Sequence, residues 1–284
     1  MRSQLAHTSK GPIEYTLQGD GPAVLACHGT SSDCYAEGLV APLVEAGFSL
    51  LSPSRPGYGR TRLEVGRSAA EAAEALVALL DRRQVPKCSV VAISGGGPTG
   101  ISLAAQFPQR VERLILVAAV SRPEDRPHEP GYKDQTAFYG PMHGVMWSLL
   151  GMMSRMSPRS LARQTLAIFS SHDPDDGMSR LSVEDIEGIG RFYRGRSSRK
   201  GALNDATHTV GADLLRTVGQ PTLVVHSRED KAVPFGHAEW SLRHIPRATL
   251  CEAGFTGHFL WIGPDFGPIS RRMAAFLREP SPRD

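Results

Sequence analysis

The stretch VVAISGGGPTG, residues 90–100, lies where a predicted strand turns into a helix, and it allows two interpretations. Its glycines Gly95, Gly97 and Gly100 form G-x-G-x-x-G, the pattern of a strand-to-helix loop that holds the pyrophosphate of a dinucleotide. Glu124 follows the next predicted strand, near where an acid that binds the ribose would lie. Against this interpretation, the pattern usually follows the first strand of its unit, whereas several predicted strands precede it here.

The same stretch also contains a serine in a second pattern. Ala92, Ser94 and Gly96 form small-x-Ser-x-Gly, in which a sharp turn between a strand and a helix exposes the serine hydroxyl. Small neighbours are needed because bulky side chains would collide with the following helix. Pro98 suits the first turn of that helix, where a missing backbone N–H costs little. This pattern predicts that Ser94 is a nucleophile.

Short apolar runs alternate with helical patterns along the rest of the chain. Strands are predicted at 13–18, 23–29, 48–54, 89–94, 113–120, 222–227 and 248–253. Helices are predicted at 37–47, 68–80, 98–107 and 266–277. Continuous apolar strands that alternate with helices indicate an α/β fold, with a mostly parallel central sheet flanked by helices.

Residues 122–212 interrupt this alternation. They begin with a polar, proline-rich segment and continue with helical patterns at 143–156 and 157–169, without a strong strand. The chain is therefore predicted to have a core made of residues 1–121 and 213–284, with a helical insertion between them.

A serine nucleophile needs a general base, and the base needs a carboxylate to orient it. In this type of turn the chain order is serine, then acid, then histidine. Asp230 follows the strand predicted at 222–227, and His258 follows the next strand in a glycine-containing loop. Both residues should therefore lie at the strand ends where Ser94 lies. Asp125, after the preceding strand, is the alternative acid.

The same reaction needs N–H donors for a tetrahedral oxyanion. The backbone N–H of Gly95, at the start of the helix, is one candidate. The N–H of Thr30, after the strand that ends in His28 and Gly29, is the second.

Five segments in this order resemble the α/β-hydrolase fold superfamily, in its serine hydrolase or esterase form with a helical cap. They are CHGT (27–30), SRPGYGRT (54–61), AISGGGP (92–98), HSREDKAVP (226–234) and GHF (257–259). The resemblance covers nearly the whole chain. It implies that Ser94 is the nucleophile, His258 the base and Asp230 the orienting acid, with Thr30 and Gly95 as the oxyanion hole. It also implies that residues 122–212 form the cap and that no cofactor is required.

The function expected from this resemblance is hydrolysis of a carboxylic ester, lactone or thioester of a small to medium apolar substrate. A C–C bond or amide hydrolase on the same residues is an alternative, and so is a catalytically silent ligand-binding homologue. Met146, Trp147 and Phe259 are the predicted substrate contacts. The methionine-rich run from Met142 to Met156 is expected to pack in a helical core or to form an apolar pocket wall.

Composition limits the partners and the location. The chain has 284 residues and a formal net charge of +3, which favours neither a nucleic acid nor a membrane as a partner. Four widely spaced cysteines and a polar N-terminus favour a cytoplasmic protein. The expected partner is a small-molecule substrate, and a monomer or a homodimer is expected. The acidic run at 171–176 is expected to be a solvated loop rather than a metal site.

Overall fold

The computed structural model describes residues 2–35, 38–123, 139–195, 197–254 and 257–280. The strands of the described residues are β1 Gln4–Thr8, β2 Gly11–Gln18, β3 Ala23–Cys27, β4 Ser49–Pro53, β5 Cys88–Ile93, β6 Val111–Val117, β7 Thr222–Ser227 and β8 Ala248–Ala253.

The helices of the described residues lie before, between and after these strands. They are α1 Ala41–Glu45, α2 Ala69–Arg82, α3 Gly97–Gln106, α4 His143–Met156, α5 Pro158–Phe169, α6 Pro174–Arg180, α7 Val183–Arg194, α8 Arg199–Asp205, α9 Ala212–Arg216, α10 Gly236–His244 and α11 Phe266–Arg278. None of them is both long enough and apolar enough to cross a bilayer.

The strands form one eight-stranded sheet in the order β1-β2-β4-β3-β5-β6-β7-β8. Only β2 runs against its neighbours, and every pair from β4 to β8 is parallel. The predicted α/β class with a mostly parallel sheet is confirmed. Because β5 lies in the interior of the parallel part, the loop that follows it emerges at the middle of the carboxyl edge.

The core occupies both faces of the sheet, and β5 contributes to both. Val90 and Ala92 pack with α2 and α3 on one face, whereas Val91 and Ile93 pack with α1 and α11 on the other. Every residue of β5 is buried, as expected for a strand covered on both faces. The end of β5 is therefore held rigidly, and the turn that begins at Ser94 has a fixed position.

Helices α4 to α8 all lie between β6 and β7 in the chain. Here this part is called the helical segment, residues 139–208. It has its own apolar cluster, which includes Leu161, Leu166 and Ile189. Phe259 and Ile262 from the loop after β8 join that cluster, so the segment packs against the carboxyl edge of the sheet.

Several local predictions were wrong in detail. The helix expected at 37–47 forms only over Ala41–Glu45, and the edge strand β1 was too short and too polar to be recognised. The acidic run at 171–176 is not simply a loop, because Asp173 caps helix α6 and accepts from the N–H groups of Asp175 and Asp176. An acid followed by a proline is a helix start signal, which accounts for this cluster of carboxylates.

Close contact between α3 and β5 predicts a specific effect at Gly100. A Cβ at Gly100 would overlap the Cβ of Ala92, whereas a Cβ at the helical Gly144 would meet nothing within 4 Å. Gly100→Ala should therefore lower the free energy of unfolding by about 1–3 kcal/mol. The control Gly144→Ala should be neutral or stabilising by up to about 1 kcal/mol. Urea unfolding measures both, and equal stability of the two variants would contradict this packing.

Candidate active site

Ser94 occupies a strained turn at the end of β5. Its φ of +50° lies in the left-handed region, which residues other than Gly, Asn and Asp seldom adopt. A short 3₁₀ turn over Ser94–Gly96 leads directly into α3, and Ser94 is partly exposed although all of β5 is buried. The Ser94 carbonyl accepts a hydrogen bond from the Val120 N–H at 3.0 Å, which anchors the turn to the loop after β6.

The glycines of the same stretch are packed against protein rather than against space for a ligand. A Cβ on Gly95 would overlap the Thr30 hydroxyl, and one on Gly97 would overlap the Val120 carbonyl. At Gly96 it would overlap the Cys27 and His28 carbonyls. A dinucleotide fingerprint needs its glycines so that the backbone can approach a pyrophosphate. Protein atoms already fill these positions here, and this supports the serine interpretation.

His258 and Asp230 are in direct contact at this carboxyl edge. The Nδ1 of His258 lies 2.8 Å from Oδ2 of Asp230. The other oxygen, Oδ1, accepts the backbone N–H groups of Ala232 and Val233, both at 2.8 Å. Both side chains are buried, so a carboxylate with every oxygen engaged holds the imidazole in one orientation.

The loop after β8 is held in place by the helical segment. The His258 N–H donates to the Phe169 carbonyl at 3.1 Å, and the two rings stack with centroids 6.0 Å apart. Gly257 has φ +64°, and a Cβ there would overlap the Phe169 carbonyl. Asp230 forms an isolated bridge with Ser170, so the helical segment also fixes the acid.

His226 lies beneath this pair at the end of β7. Burial lowers the pKa of its imidazole, and its Nε2 lies 2.8 Å from the Val233 carbonyl. A neutral ring that donates to this carbonyl supports the Asp230 loop without a charge of its own. Glu124 and Asp125, the alternative acids of the two interpretations, lie outside the described residues.

The loop that carries Thr30 packs against the Ser94 turn. A Cβ on Gly29 would lie 3.1 Å from the Cβ of Ser94. The Thr30 hydroxyl does not point to open space but donates to Oδ2 of Asp205 at 2.7 Å. Asp205, at the end of α8, is the site residue that sequence reasoning missed. Nothing in the sequence of this short polar helix marks Asp205 as part of a site. The only available clue was Arg55, a charge directly after a predicted strand that would need an acidic partner if it were buried.

Within the described ranges, no group of three or more His, Cys, Asp or Glu side chains is arranged to hold a metal ion.

Comparisons with known proteins agree with the fold described above. The sequence pattern that defines the alpha/beta hydrolase fold matches residues 22–263, which is most of the chain. The chain belongs to the α/β-hydrolase fold family. The family predicted from the five sequence segments is therefore confirmed.

Two similar relatives and one solved structure cover nearly all of this α/β-hydrolase fold protein. The uncharacterized hydrolase YcgS of Bacillus subtilis is 34% identical over 270 residues, which span 94% of this chain and 95% of that one. The pimeloyl-[acyl-carrier protein] methyl ester esterase of Nitrosomonas europaea is 27% identical over 87% of this chain and 92% of its own. An alpha/beta hydrolase fold protein from Nakamurella multipartita has a TM-score of 0.82 at 28% identity, covering 98% and 99% of the two chains.

The three predicted substrate contacts lie in or against the helical segment. Trp147 packs against Phe192 and Tyr193 and lines a surface cavity of about 400 Å³ within that segment. Phe259 is 1% exposed and packs edge-on against Phe169. Met146 is half-buried on α4. Their contact with substrate stays a prediction.

Core packing, one of the two roles expected for the methionine-rich run, is wrong for three of its members. Met142, Met152 and Met156 are 65%, 48% and 75% exposed, so they do not pack in a core. A role for them in an apolar pocket wall stays a prediction. Met153 does pack against the apolar cluster of the helical segment.

The left-handed turn predicts an unusual order of stability among variants of Ser94. Ser94→Gly and Ser94→Ala both remove the hydroxyl, but only glycine adopts φ +50° without strain. Ser94→Gly should be more stable than Ser94→Ala by up to about 1 kcal/mol. Thermal unfolding of the two variants measures this difference. A Ser94→Ala protein that is the more stable of the pair would show that the turn is relaxed.

Proposed function

We propose that this α/β-hydrolase fold protein is a serine hydrolase that cleaves a carboxylic ester, or a related lactone or thioester, through an acyl-enzyme on Ser94. The observation that carries the proposal is the strained, partly exposed Ser94 on the same sheet edge as the His258–Asp230 hydrogen bond of 2.8 Å. The named activity of the Nitrosomonas europaea relative, a methyl ester esterase, supports an ester as the bond.

In the first half of the reaction, the Ser94 Oγ attacks the carbonyl carbon of the ester. Because the Nδ1 of His258 is held by Asp230, its Nε2 is the atom that accepts the serine proton. Asp230 stays ionised and stabilises the imidazolium that forms. The proton then passes from Nε2 to the alkoxy oxygen, the C–O bond breaks and the alcohol leaves.

In the second half, water attacks the acyl carbon while His258 accepts a proton from it. The tetrahedral intermediate collapses, the acid leaves and Ser94 regains its proton. The N–H groups of Thr30 and Gly95 stabilise the oxyanion in both halves, which is the role of fixed backbone donors in a site that excludes water. The contact of the Thr30 loop with the Ser94 turn supports this assignment.

The helical segment, within residues 122–212, acts as a cap on this edge in the proposed enzyme. Phe169 stacks on the His258 ring and Ser170 pairs with the backbone of Asp230, so the helical segment covers both residues from that side. A cover of this kind excludes water and strengthens the electrostatic interactions beneath it.

Kinetic variants test the proposal. The substrates are a panel of short- and medium-chain p-nitrophenyl esters. Ser94→Ala should lose about 10⁶-fold in kcat because it removes the attacking hydroxyl. Asp230→Asn should lose about 10⁴-fold because the imidazole loses its orienting charge. Ser179→Ala, which removes an exposed hydroxyl on α6, is the control and should keep the wild-type rate. Wild-type turnover that survives in Ser94→Ala would contradict the proposal.

A further inference from the structure

Asp205 is a buried acid that lies beside the proposed oxyanion hole but has no part in the proposed proton transfers. It ends α8 and is 5% exposed. Its Oδ2 accepts from the hydroxyls of Thr30 and Tyr58 at 2.7 Å each. The Arg55 guanidinium donates to both carboxylate oxygens, also at 2.7 Å. The carboxylate thus accepts four hydrogen bonds from three side chains of the sheet's loops.

Arg55 also hydrogen-bonds to His28, two residues before Thr30. Its Nε donates to the His28 carbonyl at 2.7 Å, and its backbone N–H donates to the Nε2 of His28 at 2.9 Å. The ring's Nδ1 then donates to the Gly29 carbonyl at 2.8 Å. The loop His28–Thr30 is therefore held at its start by Arg55 and at its end by Asp205.

The charges in this cluster are fixed. Burial, and then the nearby Arg55, lowers the pKa of His28 to about 3, so the ring stays neutral. Burial alone would raise the pKa of Asp205, but the charge and hydrogen bonds of Arg55 hold it below its usual range. Asp205 and Arg55 therefore form a buried ion pair with no net charge.

Helix α8 is docked closely on the loop after β4, so Asp205 has little freedom to move. Ser198 donates to the Gly57 carbonyl at 2.6 Å, and Asn204 donates to the Arg67 carbonyl at 2.8 Å. A Cβ on Gly201 would overlap the Tyr58 ring. A Cβ on Gly95 would lie 3.1 Å from Oδ2 of Asp205, which places the carboxylate directly against the Ser94 turn.

We propose that Asp205 is a positioning residue that fixes the backbone N–H of Thr30 where it can bind the oxyanion. The oxyanion hole is therefore complete only when α8 is docked on the loop after β4. The inference rests on the proposed function and extends it to a residue of the helical segment. Its physical basis is that a hydrogen-bond donor displaced by about 1 Å loses much of its effect on a transition state.

The direction of the change in kcat of Asp205→Asn distinguishes a positioning role from a purely electrostatic role. Asp205→Asn leaves Arg55 without its carboxylate, close to where the oxyanion would form. An unpaired cation there would raise kcat if charge alone mattered. Positioning requires the opposite, a fall in kcat of about 10- to 100-fold with KM changed by no more than about twofold.

The experiment compares wild type, Asp205→Asn and Thr30→Val, with Asp213→Asn as control. Asp213 is a fully exposed acid on α9, and its loss should leave kcat unchanged. Thr30→Val removes the hydroxyl that reaches Asp205 but keeps the backbone N–H, and it should lower kcat about 10-fold. Rates are expressed per active site titrated with a fluorophosphonate, so that a misfolded fraction does not count. The inhibition constant of a trifluoromethyl ketone should rise in parallel with the loss of kcat/KM.

The outcomes are distinct. If wild type neither hydrolyses esters nor reacts with the fluorophosphonate, the proposed function itself fails. If wild type is active and Asp205→Asn and Thr30→Val keep its kcat and its affinity for the ketone, the positioning role is overturned and the proposed function stands. A kcat raised in Asp205→Asn also overturns it. If Asp205→Asn does not fold, as judged by circular dichroism, Thr30→Val alone decides.

Discussion

The left-handed backbone at Ser94 is the constraint on which the rest of the site depends. A serine at φ +50° persists only because its surroundings fix it on every side. Strand β5 below is buried on both faces, the Val120 N–H holds the Ser94 carbonyl, and Gly95 and Gly96 allow the Thr30 loop to press against the turn. The strain places one hydroxyl at the centre of the carboxyl edge, where the loops from the neighbouring strands meet.

Two buried carboxylates organise those loops in the same way. Asp230 uses one oxygen to fix its own loop and the other to hold His258. Asp205 is held by Arg55 through both oxygens and accepts the Thr30 hydroxyl as well. A buried carboxylate is costly unless every oxygen is paired, so each loop has little choice of conformation. In the proposed enzyme, one acid orients the base and the other positions the oxyanion donor.

Much of the fold and part of the site could be predicted from local sequence. The strands β5 and β7 are continuous apolar runs, and the small residues around Ser94 mark a turn that no bulky residue could enter. Asp230 and His258 could be placed because parallel strands end on one edge. Asp205 could not, because it meets Arg55 and Thr30 only after α8 docks on the sheet. The solvent exposure of Met142 and Met156 could not be predicted either, because helical periodicity does not say which face of a helix is covered.

Mapping of a covalent adduct identifies the nucleophile directly. The protein is treated with a fluorophosphonate and digested with trypsin, and mass spectrometry locates the modified residue within the peptide Cys88–Arg110. A nucleophile at position 94 predicts one adduct, on Ser94, that forms on the folded protein and is absent after denaturation or in Ser94→Ala. An adduct on another residue, or a folded wild type that does not react, would contradict it.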